Sequence, residues 1–272
     1  MNKKYKLFII IIITSIFFNM DKHYNINKKC LIEEINKFYN IFDRVNINEI
    51  ESKIIGENNF KKKKINSIVN VGFTLDNNYV LETMLTVASI MKTQNETTKI
   101  RFHFGVTNNF TAENMIKLYD LRRKINNLTE FNFYYLKDVI KKMKKFHRKG
   151  EACPGKFELP IYLPNDIERL LIFDAGDLLV LRDLTELYNY DMGNYWVLGT
   201  LEPTIIYSFM KVYYNITKYV NIGSILLNIK KLKQNNFWNL YTNNRYLRIS
   251  GAPDQTLFNI YRDNTIWYFM NS

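Results

Sequence analysis

Asp174 and Asp177 stand with only Ala175 and Gly176 between them inside the apolar run LLIFDAGDLLVLRDL, Leu170 to Leu184. Leu170, Leu171, Ile172 and Phe173 read as a buried strand, and Leu178, Leu179, Val180 and Leu181 read as its continuation. A carboxylate at that depth is costly unless it is paired or binds a cation. Three chemistries would provide the partner. Asp can cap a turn that Gly176 eases. Two carboxylates can share acid and base work, as in glycoside hydrolysis. Or hard oxygen ligands can hold Mn or Mg, which would bridge a nucleotide diphosphate and neutralise the departing phosphate.

No rival motif is present. The chain lacks a G-x-x-x-x-G-K-[ST] loop, G-x-G-x-x-G, H-E-x-x-H and G-x-S-x-G. His23, His103 and His147 are scattered, and His103 falls inside a strand pattern, which suits a structural role. Cys30 and Cys153 have no zinc spacing.

The elements that must position the aspartates follow one rhythm. Ile68 to Phe73 reads as a buried strand. Asn78 to Met91 follows, with Val80, Met84 and Ala88 at helical spacing. Ile100, Phe102, Phe104 and Val106 alternate as a strand does. Ala112 to Leu121 reads as helix, and Phe131, Phe133 and Tyr135 alternate again. Strand, helix, strand, helix, strand predicts parallel βαβ units, with the Leu170–Phe173 strand entering the same sheet. Ligands of open parallel sheets sit outside the carboxyl ends of the strands. Asp76 lies just past the first strand and Asp174 and Asp177 past another, so two strands deliver acidic groups to one edge.

The remaining composition bounds the class. Hydrophobic residues make up 47% of the 272 residues, enough for a sizeable core. The net charge of +12 comes mostly from lysine in a chain rich in Asn and Ile, and no nucleic-acid partner is expected. The run 141–149 reads as a solvated basic stretch. Lys3, Lys4 and Lys6 precede an apolar run, Leu7 to Phe18, as in a signal anchor or signal peptide. Residues 1–20 are thus expected to anchor the chain in a membrane as a single-pass type II protein facing the Golgi or ER lumen, with secretion after cleavage as the alternative. Residues 21–65, ending in four lysines, read as a stem, and 66–272 as one folded domain. Sequons at Asn95, Asn109, Asn127 and Asn215 would suit a lumenal domain and decide nothing by themselves.

Four blocks resemble family 8 glycosyltransferases, and they appear in that family's order over roughly residues 66–270. FTLDNNYVLETMLTVASIMKTQ (73–94) is similar to the opening strand and acidic loop, which implies a uridine pocket at Thr74, Leu75, Asp76, Asn78 and Tyr79. LPNDIERLLIFDAGDLLVLRDLTELYNYDM (163–192) resembles the metal-binding strand. YVNIGSILLNIKKLK (219–233) resembles the N-x-G segment, placing Asn221 and Gly223 beside sugar and acceptor. GAPDQTLFNIY (251–261) resembles the D-Q element, Asp254 and Gln255.

The resemblance implies an α/β, Rossmann-like GT-A fold with a mostly parallel sheet flanked by helices. It also implies transfer of a hexose from a UDP-sugar to a glycan or protein hydroxyl with retention, using Mn or Mg held by Asp174 and Asp177. Gln255, Asp254 and Asn221 would stand nearest the reacting carbon. The chain departs from the family pattern at three places. Its acidic element is Asp174-Ala-Gly-Asp177 rather than Asp-x-Asp, so Asp177 aligns with the second aspartate and Asp174 needs a bulge at Gly176. Lys156 occupies the position of a donor-contacting Arg, and lysine cannot make a bidentate contact. No His follows His147, so the family's C-terminal metal ligand has no counterpart and the chain reads as shortened there. The alternative expectation is a catalytically inactive relative that binds nucleotide or glycan.

Overall fold

The computed structural model describes residues 67–125, 129–136, 152, 155–176, 178–201, 219–237, 255, 258–259 and 266–269. The anchor, the stem, the basic run 141–149, both cysteines, Asp177 and Asp254 lie outside the described residues.

Seven strands form one sheet: β1 Ser67–Leu75, β2 Thr98–Val106, β3 Glu130–Tyr135, β4 Arg169–Phe173, β5 Val197–Leu201, β6 Val220–Asn228 and β7 Ile266–Phe269. Their spatial order is β3-β2-β1-β4-β6-β5-β7. β1 pairs in parallel with β2 and β4, β2 with β3, and β5 with β7. β6 alone runs against its neighbours β4 and β5. The sheet is therefore mostly parallel, as the alternating pattern predicts. The helices are α1 Val80–Thr93, α2 Ala112–Ile125, α3 Gly155–Tyr162, α4 Thr185–Tyr188 and α5 Ile229–Gln234.

The period-2 pattern of the strands sorts their side chains onto two buried faces. Val69, Val71, Phe73, Phe102, Phe104, Leu171 and Phe173 form one core with Val87, Ile90 and Leu118 of α1 and α2. Leu170, Ile172, Ile225 and Leu227 form the second with Phe157 and Leu159 of α3, Leu232 of α5 and Phe258. Helices on both faces complete a three-layer domain.

One local expectation is corrected. β4 stops at Phe173, and Leu178 to Leu181 do not continue it. They leave the sheet because Gly176 turns the chain through the left-handed region (φ 80°), and Leu178 and Val180 then bond to helix α1 instead of to a strand.

Candidate active site

The first acidic group closes β1. Asp76 is nearly buried, and its Oδ1 accepts a hydrogen bond from the Asn78 N–H at 2.8 Å. It thus caps the one-turn helix Asn77–Tyr79 that leads into α1. Thr74 and Leu75 are buried in β1, Leu75 with its side chain in the core, whereas Asn78 and Tyr79 are exposed. Asn77, a residue the sequence pattern did not single out, ties this turn to the loop after β2. Its Nδ2 donates to the Asn109 carbonyl at 2.7 Å, and its Oδ1 accepts from the Thr111 N–H at 3.0 Å and from Asn114 Nδ2 at 2.8 Å.

Asp174 follows β4 directly, and β4 is in register with β1 through Phe73 and Phe173. Asp76 and Asp174 therefore leave the same edge of adjacent strands. Because β6 is antiparallel, its amino-terminal residues also lie at this edge: Ser224 pairs with Phe173, and the Asp174 N–H donates to the Gly223 carbonyl at 2.7 Å. Asn221 Oδ1 accepts from the Gly223 N–H at 2.7 Å. A Cβ on Gly223 would stand 3.0 Å from Asn221 Oδ1 and 3.1 Å from Asp174 Oδ2. Glycine at 223 thus keeps open the space in front of that carboxylate oxygen.

The other oxygen is occupied. Lys156, in the first turn of α3, is 2% exposed and forms an ion pair with Asp174 Oδ1. Its Nζ also donates to the Ile222 carbonyl at 3.1 Å. A buried ammonium is tolerated only with such partners. Asp174 is thus held by a lysine on one side and faces a glycine-lined gap on the other.

The last segment arrives from far along the chain. Gln255 Oε1 accepts from the Ile222 N–H at 3.4 Å. Asn259, which the sequence pattern missed, is fully buried. Its Oδ1 accepts from the Val220 N–H at 2.6 Å, and its Nδ2 donates to the Val220 and Gln255 carbonyls, each at 2.8 Å. One amide side chain satisfies both backbone groups at the start of β6 and fixes Gln255 one helical turn away. The only sequence signal was an Asn in the second turn after Gln255, too common in this chain to stand out.

Of the residues expected from the sequence, the fold gathers Asp174, Lys156, Asn221, Gly223 and Gln255 around the first residues of β6, with Asp76 just past the end of β1, on the far side of β4. The donor set suits a hard divalent cation: Asp174 turns an oxygen towards the open space at Gly223. Among the described residues no group of three His, Cys, Asp or Glu side chains could hold a metal, and Asp177 lies outside them.

Comparisons with known proteins identify the family and the fold. The family model for glycosyl transferase family 8 matches residues 70–270. Among solved structures, the galactosyltransferase LgtC in complex with donor and acceptor sugar analogs is similar at TM-score 0.62 and 19% identity, over 74% of this chain and 73% of LgtC. Mouse xyloside xylosyltransferase 1 is similar at TM-score 0.57 and 12% identity, over 75% of this chain and 85% of the other. The bifunctional glycosyltransferase WbbM matches at TM-score 0.61 and 18% identity, over 75% of this chain and 39% of its own. No curated protein sequence matches the chain. At these identities the solved structures carry the GT-A fold alone, while the family model spans most of the sequence, from the fourth residue of β1 to the residue after β7. The chain belongs to glycosyl transferase family 8.

Proposed function

We propose that the chain transfers a hexose from a UDP-sugar to a hydroxyl of a glycan or protein, with retention at the anomeric carbon and with Mn or Mg at the acidic loop. The observation that carries this reading is that Lys156, Asp174, Gly223 and Gln255, from four separate segments, meet at the start of β6, with Lys156 on Asp174 Oδ1 and the space at Gly223 in front of Asp174 Oδ2. LgtC, solved with donor and acceptor sugar analogs, supports a reading that has a donor and an acceptor sugar.

Held by Asp174 and Asp177, a divalent cation would supply positive charge to the diphosphate as it departs. The chain's own residues do the positioning. The Asp76 turn presents the exposed Tyr79 ring as a flat apolar face for the uracil. Lys156 fixes the Asp174 carboxylate, and its charge would add to the positive field that a diphosphate bound there meets. Asn221 and Gln255 border the sugar, and neither is a strong nucleophile. Direct transfer, in which the acceptor oxygen bonds to the anomeric carbon on the face from which the diphosphate oxygen leaves and passes its proton to that oxygen, therefore stands beside a route through a covalent intermediate.

Calorimetric titration of the full chain with UDP, with and without Mn, tests the reading. Binding that requires Mn and is lost in Asp177→Asn is expected. Equal UDP affinity in the unaltered chain, Asp174→Asn and Asp177→Asn would instead restore turn capping as the role of the aspartates.

The same reading includes attachment to a membrane through residues 7–18. No helix among the described residues is long and apolar enough to cross a membrane, and 7–18 lie outside them. Alkaline extraction should leave the chain in the membrane pellet and release a chain lacking residues 1–20.

A further inference from the structure

Helix α1 buries three hydroxyls where an amphipathic helix ordinarily buries carbon. Thr83 and Thr86 are fully enclosed and Ser89 nearly so. Thr83 is satisfied within its own turn, donating to the Tyr79 carbonyl at 2.7 Å. The other two reach out of the helix. Thr86 Oγ1 donates to the Leu178 carbonyl at 2.9 Å. Ser89 Oγ accepts from the Val180 N–H at 2.9 Å and donates to the Thr86 carbonyl at 2.7 Å. Residues two apart in an extended chain present their backbone groups on one side. The Leu178 carbonyl and the Val180 N–H have that spacing along the chain, and hydroxyls of α1 bond to both, where a strand would have a neighbouring strand.

The contact continues in both directions. One turn before Thr86, Glu82 lies beneath Gly176, so closely that a Cβ there would stand 2.4 Å from Glu82 Cβ. Glu82 Oε2 is buried and has no hydrogen-bond partner among the described residues. Past the end of α1, Gln94 Oε1 accepts from the Leu184 N–H at 3.1 Å, and the Asn95 N–H donates to Asp183 Oδ2 at 2.8 Å. Positions 82, 86 and 89 share one face of the helix, and they meet 176, 178 and 180 in order.

We propose that Glu82, Thr86 and Ser89 are positioning residues for the acidic loop: by holding Gly176, Leu178 and Val180 they set where the loop that follows Asp174 stands relative to the Asp76 turn, and thereby set its affinity for a divalent cation. This role rests on the functional reading above. The Asp76 turn leads directly into α1, and the clamp on the loop lies one to three turns along the same helix. A helix rises a fixed ~1.5 Å per residue, so the spacing between the two halves of the site is that of a rigid element. Without the Thr86 hydroxyl, the Leu178 carbonyl loses its buried donor and the loop its fixed position.

Mn binding to the full chain, with Mn alone followed by electron paramagnetic resonance, tests the proposal together with hydrogen exchange at the Val180 amide. Thr86→Val and Ser89→Ala should each weaken Mn binding about tenfold, and Ser89→Ala should speed exchange at Val180. Thr86→Ser keeps the hydroxyl and should bind Mn as the unaltered chain does. Unchanged Mn affinity in Thr86→Val, with only a lower melting temperature, would overturn the positioning role and leave the stripe as packing. Failure of the unaltered chain to bind Mn while the Val180 amide stays protected would overturn the functional reading itself, and the cation role with it.

Discussion

Lys156 is 2% exposed, whereas its partner Asp174 keeps 35% of its side chain open. The lysine therefore loses most of its hydration and depends on Asp174 and the Ile222 carbonyl to replace it. Lys156→Met retains the apolar stem but removes the charge that orients the carboxylate. Breaking a buried pair costs about 3–5 kcal/mol, and water reaching Asp174 offsets part of that. A loss of about 2 kcal/mol in urea unfolding is expected, and a change within experimental error would count against the pair as a structural link. His103 makes a second prediction. It is 1% exposed and lies at 3.1 Å from both Asn70 Oδ1 and Tyr134 Oη. Burial first, and then Arg101, lowers its pKa from 6.5 to about 4, while Glu130 and Asp166 pull the other way and lose. Unfolded His103 takes a proton near 6.5 and folded His103 resists until about 4. The unfolded state thus holds more protons in that window, so stability is level above it and declines as the pH drops through it, by about 3 kcal/mol. His103→Gln does not titrate, and its unfolding free energy should lose that slope. An identical slope in both proteins would assign the effect to other groups.

At the scale of elements, the site depends on how β6 begins. Val220 enters the strand with its N–H and carbonyl both held by Asn259, from a segment that also carries Gln255. Asn259→Ala leaves two buried backbone groups without their partner, at roughly 3 kcal/mol. Thermal unfolding should show that loss, and nucleotide affinity should fall as well because Gln255 is no longer fixed. Full affinity in a destabilised Asn259→Ala protein would separate the clamp from the site. The run Leu178–Leu181 teaches the complementary lesson. Its apolar pattern predicts a strand, and the Leu178 carbonyl and the Val180 N–H do find hydrogen-bond partners on one neighbouring element. However, its backbone partners are hydroxyls of α1, and no hydrophobic pattern reports a polar partner on another element.

At the scale of the whole molecule, the candidate site draws on residues from Thr74 to Gln255, so ligand binding should stabilise the entire domain. A ligand that binds only the folded state adds about 2.7 kcal/mol at a hundredfold excess over its dissociation constant. In a domain of this size that is roughly 5–10 °C in melting temperature. UDP with Mn should produce such a rise, a chelator should remove it, and UDP alone should give little of it. Equal shifts with and without Mn would remove the cation from the nucleotide site.

The sequence by itself determined the alternation of strands and helices, the edge at which Asp76 and Asp174 emerge, and the family. Those follow from local periodicity, from where apolar runs stop, and from short blocks in a fixed order. Only the tertiary structure decided that β6 runs against its neighbours, which is what carries Asn221 and Gly223 to Asp174. It alone paired Lys156 with Asp174, set Asn259 on Val220 and laid the α1 hydroxyls along Leu178 and Val180. Periodicity along a chain records which face is buried and how long an element runs. Strand direction and the partner of a buried polar group are fixed by contacts between distant segments, where side chains of the same type compete and only the packed domain selects one.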